Sequence, residues 1–125
     1  MGSLIFRHFL WIAWLLLLII LSLTPGNNLP DFSFELFEID KLVHFTFYFM
    51  LMILMNLGFR TKKNEPYLKS IVLIGVIGLF IGWSIEYIQG EFILNRYFDY
   101  FDIVANSIGI VSGIIFYYKV SVRKL

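Results

Sequence analysis

The sequence predicts an all-α protein, a polytopic transmembrane four-helix bundle with both termini in the cytoplasm. Three observations carry that expectation. Of 125 residues, 59% are hydrophobic and 15% charged, against roughly 45–50% and about 25% in a soluble domain. So short a chain has too much surface to hide this excess in a globule, so the excess faces lipid. Four apolar stretches close to the length that crosses a hydrocarbon core, about 20 residues, are separated by short polar breaks, and the charges of those breaks segregate by sign. The absence of cysteine excludes a disulfide scaffold, and a formal net charge of only +1 argues against a nucleic-acid partner.

The first stretch runs from about Leu4 to Leu23 and closes at Thr24-Pro25-Gly26. A secretory signal is its competing reading, because Arg7 precedes an apolar run. No small-x-small cleavage site stands between Leu21 and Gly26, which favours an uncleaved helix. The second stretch is expected over 41–59, the third over 68–89, rich in isoleucine, valine and glycine, and the fourth over 99–118. All four belong to a single transmembrane domain covering residues 1–125.

Lys and Arg resist translocation far more than acids do. Arg60, Lys62, Lys63 and Lys69 face one acid, Glu65, between the second and third stretches, and Lys119, Arg123 and Lys124 follow the fourth. These ends are expected inside, with Arg7. Asp31, Glu35, Glu38 and Asp40 lie before Lys41, and the last break holds Glu91, Arg96 and Asp99; both are expected outside.

Ionisable residues inside a span are costly and are functional candidates by default. Asp40, His44 and Tyr48 recur four apart and share a helix face, with Lys41 three before His44. Asp40 is also open to a plain helix-capping role, His44 to that of a hydrogen-bonded packing residue or of a proton carrier, and Tyr48 to that of an interior aromatic with its hydroxyl satisfied. On the third stretch Gly75, Gly78, Gly82, Glu86 and Gln89 form one stripe. Its glycines allow close helix approach, and Glu86 needs a partner, for which His44, Lys41 and Arg96 are the candidates. On the fourth, Asp99, Asp102, Asn106, Gly109 and Gly113 form a matching stripe.

The two stripes and the start of the second stretch place Asp40, Lys41, His44, Glu86, Gln89, Arg96, Asp99, Asp102 and Asn106 at one depth, at the outer end. Four acids against two bases leave room for a bound cation or a protonated histidine; the metal and any cofactor stay open. Interhelical hydrogen bonds of about 0.6 kcal/mol each are a small return for so much charge, which favours a functional cluster over a purely structural network.

These residues resemble the VanZ-like family of membrane proteins. The resemblance rests on Asp40-Lys41-x-x-His44-Phe45-x-x-Tyr48, then Glu86-x-x-Gln89, Arg96, and Asp99-x-x-Asp102-x-x-x-Asn106-x-x-Gly109-x-x-x-Gly113, and spans about Leu4 to Tyr118. It implies a multi-pass protein of the bacterial cytoplasmic membrane, in a family whose namesake is associated with resistance to teicoplanin, a lipid-tailed glycopeptide. One departure is that Asn95 precedes Arg96 where a glycine or proline turn is expected.

The leading functional expectation is an extracytoplasmic site that binds a lipid headgroup, a cell-wall precursor or a lipid-tailed glycopeptide at the outer leaflet. Arg96 and Lys41 would hold its phosphate or carboxylate, and the apolar flank its tail. An enzyme acting on a phospholipid or lipid-linked precursor would use His44 or Glu86 as acid or base, Arg96 on phosphate, and Asp99 with Asp102 on a divalent cation. A scaffold or an oligomeric transporter component is the third class. Transport would need an oligomer, because the polar residues do not continue into the cytoplasmic half.

Overall fold

The computed structural model describes residues 2–25, 34–60 and 68–123, with side chains of the second segment described from Ile39. It contains four α-helices in sequence, α1 (Gly2–Ser22), α2 (Phe34–Gly58), α3 (Leu68–Phe92) and α4 (Tyr100–Arg123), and no strand among the described residues. Each helix contains a stretch long and apolar enough to cross a membrane. Asp31, Lys62, Lys63, Glu65 and Lys124, whose charges enter the orientation argument, lie outside the described residues, as do the side chains of Glu35 and Glu38.

The helices pack with a narrow interior and an apolar exterior. Leu18, Tyr48, Leu51, Met52, Met55, Ile74, Ile85 and Ile110 form the core, while Phe6, Phe9, Ile20, Phe80, Trp83 and Val111 are among many large apolar side chains on the outside. A water-soluble domain buries such residues; here they form the surface presented to lipid.

Both small-residue stripes face inward. Gly75, Gly78, Gly82, Glu86 and Gln89 are all buried on α3, and Asp102, Asn106, Gly109 and Gly113 on α4. The closest approach is between α2 and α4. A Cβ on Gly113 would stand 2.7 Å from the Phe49 carbonyl oxygen, and one on Gly109 would run into the Phe45 carbonyl oxygen. The glycines thus set the α2–α4 spacing by letting backbone meet backbone, as small residues do at membrane helix interfaces.

Two boundaries differ from the sequence expectation by more than three residues. Helix α2 begins at Phe34 instead of Lys41, so Asp40 lies nearly two turns inside the helix and is not its cap. Glu35, Glu38 and Asp40 resemble a charged loop in sequence, yet negative charge in a helix's first turns suits its dipole. Helix α4 continues beyond Tyr118 to Arg123, a base in the last turn where the dipole favours it.

Candidate functional site

The N-terminal turns of α2 and α4 meet at Lys41. Its Nζ donates to Asp40 Oδ2 (3.3 Å), to Asp99 Oδ2 (2.7 Å) and to Asp102 Oδ1. One ammonium, with three donors and no acceptor, therefore ties two helices together through three carboxylates. Asp99 also caps α4: its Oδ1 accepts the Phe101 backbone N–H at 2.8 Å, and its carbonyl accepts that of Asp102 at 3.1 Å, the bonding of an N-cap aspartate. Burial works to raise the Asp99 pKa, but the Lys41 hydrogen bond, the Phe101 N–H and the charge of Lys41 outweigh it and hold the carboxyl below the usual carboxylate range.

His44 sits one turn below Lys41, mostly buried. Its Nδ1 is 2.9 Å from Asn106 Oδ1, so Nδ1–H donates to the amide oxygen. Its Nε2 is 3.7 Å from Asp40 Oδ1 and 3.7 Å from Asp102 Oδ2, too far for a hydrogen bond. Tyr48, a further turn down, is buried with its ring packed close to Gly82.

Glu86 is 1% exposed. Its Oε1 accepts the Asp99 backbone N–H at 3.1 Å, its carboxyl adjoins that of Asp102, and its Oε2 has no hydrogen-bond partner. The partner expected from sequence was a charged side chain; the one found is a backbone amide.

Arg96 and Gln89 do something else. Arg96 Nε donates to the Thr24 carbonyl (3.1 Å) and Arg96 Nη2 to that of Leu21 (3.2 Å), while Gln89 Nε2 donates to the Ser22 carbonyl (2.6 Å). They satisfy carbonyls at the C-terminus of α1, where unpaired acceptors and the negative end of the dipole favour a cation. The turn delivering Arg96 depends on Asn95, whose φ is 59°. Asparagine tolerates this left-handed conformation better than most residues, so it serves where a glycine was expected.

The candidate residues therefore form two groups. Asp40, Lys41, His44, Asp99, Asp102 and Asn106 form a knot between α2 and α4 that Glu86 joins from α3, and Gln89 and Arg96 clasp α1. Between the groups lies a cavity of about 230 Å³ lined by Leu18, Leu21, Ser22, Asp40, Val43, His44, Phe47, Tyr48, Gln89 and Arg96. Leu21 and Val43 are also exposed on the outside of the helices, so the apolar rim continues onto the lipid-facing surface. Asp99 and Asp102, paired in sequence as cation ligands, instead both hold Lys41.

Several residues escaped the sequence reading. Arg7, read only as an orientation charge, donates from Nη1 to the Leu57 carbonyl at the C-terminus of α2 (3.2 Å). Beside it Trp11 Nε1 donates to His8 Nδ1 (2.9 Å), and both rings pack on Phe59. Asn56 is buried in the half away from the knot, its Nδ2 donating to the Met52 carbonyl (2.8 Å), so polar side chains do continue into that half. A basic side chain reaching a backbone carbonyl leaves no partner residue for a spacing argument to find.

No family model matches the chain, and no curated protein and no solved structure matches it either.

Proposed function

We propose that the chain is a VanZ-like, multi-pass protein of the bacterial cytoplasmic membrane, with both termini inside. Its polar end faces outward and binds the anionic headgroup of an amphiphile, either a lipid, a lipid-linked cell-wall precursor or a lipid-tailed glycopeptide of the teicoplanin kind. Holding such a molecule at the outer leaflet is how it would modify the envelope and lend antibiotic resistance.

The observation that carries this reading is the cavity. Its apolar wall of Leu18, Leu21, Val43 and Phe47 suits an acyl chain, and Asp40, His44, Tyr48, Gln89 and Arg96 supply polar groups of both signs, the composition of a small-molecule site. Tyr87, Tyr97, Tyr100 and Phe101 are exposed around the same end, as aromatic belts are at the headgroup level. At the opposite ends of the helices stand Arg7, Arg60, Lys69, Lys119 and Arg123, a distribution that supports an inside location for those ends.

The test is expression in a teicoplanin-sensitive bacterium, comparing the wild-type chain with Tyr48→Phe and His44→Ala at matched membrane levels. We expect the wild type to raise tolerance and His44→Ala to abolish the gain, with Tyr48→Phe intermediate. Equal protection by all three would sink the reading.

A further inference from the structure

We infer that Asp40, His44 and Asp102 form a binding site for a divalent transition-metal cation such as Zn²⁺, at the wall of the cavity. The three side chains offer one ligand atom each, all within 4.8 Å of one another. The division of labour among their atoms is the first argument. Lys41 holds Asp40 Oδ2 and Asp102 Oδ1, while the other oxygen of each carboxylate, Asp40 Oδ1 and Asp102 Oδ2, stands 3.7 Å from His44 Nε2.

His44 supplies the second argument. Donation from Nδ1–H to Asn106 Oδ1 leaves Nε2 turned toward two carboxylate oxygens, Asp40 Oδ1 and Asp102 Oδ2. The contact with Asn106 is what a metal-ligating histidine requires, since such a histidine normally donates its other ring N–H to an oxygen that fixes the ring. An ion about 2.0–2.2 Å from each atom, the usual distance for imidazole and carboxylate on zinc, fits this triangle after side-chain shifts of roughly a few tenths of an ångström.

Charge supplies the third. Asp40, Asp99 and Asp102 share the single ammonium of Lys41, and Glu86, itself 1% exposed, sets a further carboxyl beside that of Asp102. A surplus of buried acceptors is costly in an apolar medium, and a divalent cation removes it at the point where the acceptors converge. The donor set, one imidazole and two carboxylates, suits a first-row ion over calcium, which takes oxygen ligands alone. Asp40 and His44 also line the cavity, so a remaining coordination position faces a ligand there. Assigning that position to the phosphate or carboxylate of an amphiphile rests on the proposed function; the ion itself does not.

The experiment is calorimetric titration of Zn²⁺ into the purified full-length chain in detergent. Size-exclusion profiles establish that each variant is folded. We expect about one equivalent bound by the wild type and by Lys119→Gln, a change at the opposite end of α4. His44→Ala and Asp40→Asn should each bind at least tenfold more weakly, and the positioning variant Asn106→Leu by about 10–100-fold. Should His44→Ala prove unfolded, Asp40→Asn and Asn106→Leu carry the comparison. The site is refuted if the wild type takes up no stoichiometric Zn²⁺, or if folded ligand variants bind as tightly as it does, which would assign the uptake to groups such as His8. Binding of ³²P-labelled anionic phospholipid with and without chelator is the companion measurement. Lipid binding without Zn²⁺ uptake removes the metal site and leaves the amphiphile reading, whereas Zn²⁺ uptake without lipid binding does the reverse.

Discussion

Lys41 is the residue on which the polar end of the bundle turns. Replacing it with methionine keeps most of the stem and removes the charge, leaving Asp40, Asp99 and Asp102 facing one another. Breaking a buried ion pair from one side costs about 3–5 kcal/mol. Thermal unfolding in detergent should show Lys41→Met strongly destabilised, and an unchanged melting temperature would mean that the knot contributes nothing. Asp99 gives a pH signature. Because its carboxyl titrates below the ordinary carboxylate value when folded, it contributes stability that is fully present above that ordinary value and lost as pH falls through its lowered one. Wild type and Asp99→Asn should differ in melting temperature at neutral pH and converge only in that strongly acidic range; a difference constant with pH would be inconsistent with the pairing.

Among the elements, the α2–α4 interface depends on what each glycine meets. A Cβ on Gly109 or Gly113 meets backbone carbonyls of α2, whereas one on Gly75 meets the tip of Ile114, Cδ1, at 2.5 Å. Backbone cannot step aside and a side-chain tip can. Gly109→Ala should therefore cost about 1–3 kcal/mol, the usual price of overpacking, and Gly75→Ala clearly less, as read from unfolding in detergent. Equal effects would show that the stripe is not a spacing device. These stripes were legible in the sequence because glycine and polar spacing maps directly onto a helix face, and every one of the predicted positions from Gly75 to Gln89 is buried. The start of α2 was not legible, since Glu35, Glu38 and Asp40 carry the same composition in a loop as in a dipole-facing helix turn. The use of Arg96 was hidden for a different reason. Its acceptors are the Leu21 and Thr24 carbonyls, and main-chain atoms have no residue identity to read. Arg96→Gln should loosen the end of α1 by ~1 kcal/mol, visible as faster hydrogen exchange near Ser22 and not in α4.

For the molecule as a whole, the inside-out distribution of apolar side chains follows from composition, and the meeting of Asp40, His44, Asp102 and Asn106 at one depth from helix periodicity. The division of that end into a knot and a clasp around a cavity does not, because it depends on which helices are neighbours. Orientation is open to direct measurement because the chain contains no cysteine. A single cysteine at Tyr97, 83% exposed, should react with a membrane-impermeant maleimide on intact cells, and one at Lys119 only after lysis. The opposite pattern would turn the cavity toward the cytoplasm and end the outer-leaflet proposal.

The position of Asp40 and Lys41 at the start of the apolar span of α2, and of Asp99 and Asp102 at the start of that of α4, also bears on biogenesis. A lone span inserts readily when its charges stay in the headgroup layer, and association follows as a separate stage. Helices α2 and α4 can therefore enter the bilayer unpartnered, each with its charges still hydrated. Only their subsequent lateral meeting, in the one register that brings Lys41 to Asp99 and Asp102, dehydrates those groups, so the ion cluster acts as the latch that closes an assembly begun by apolar insertion.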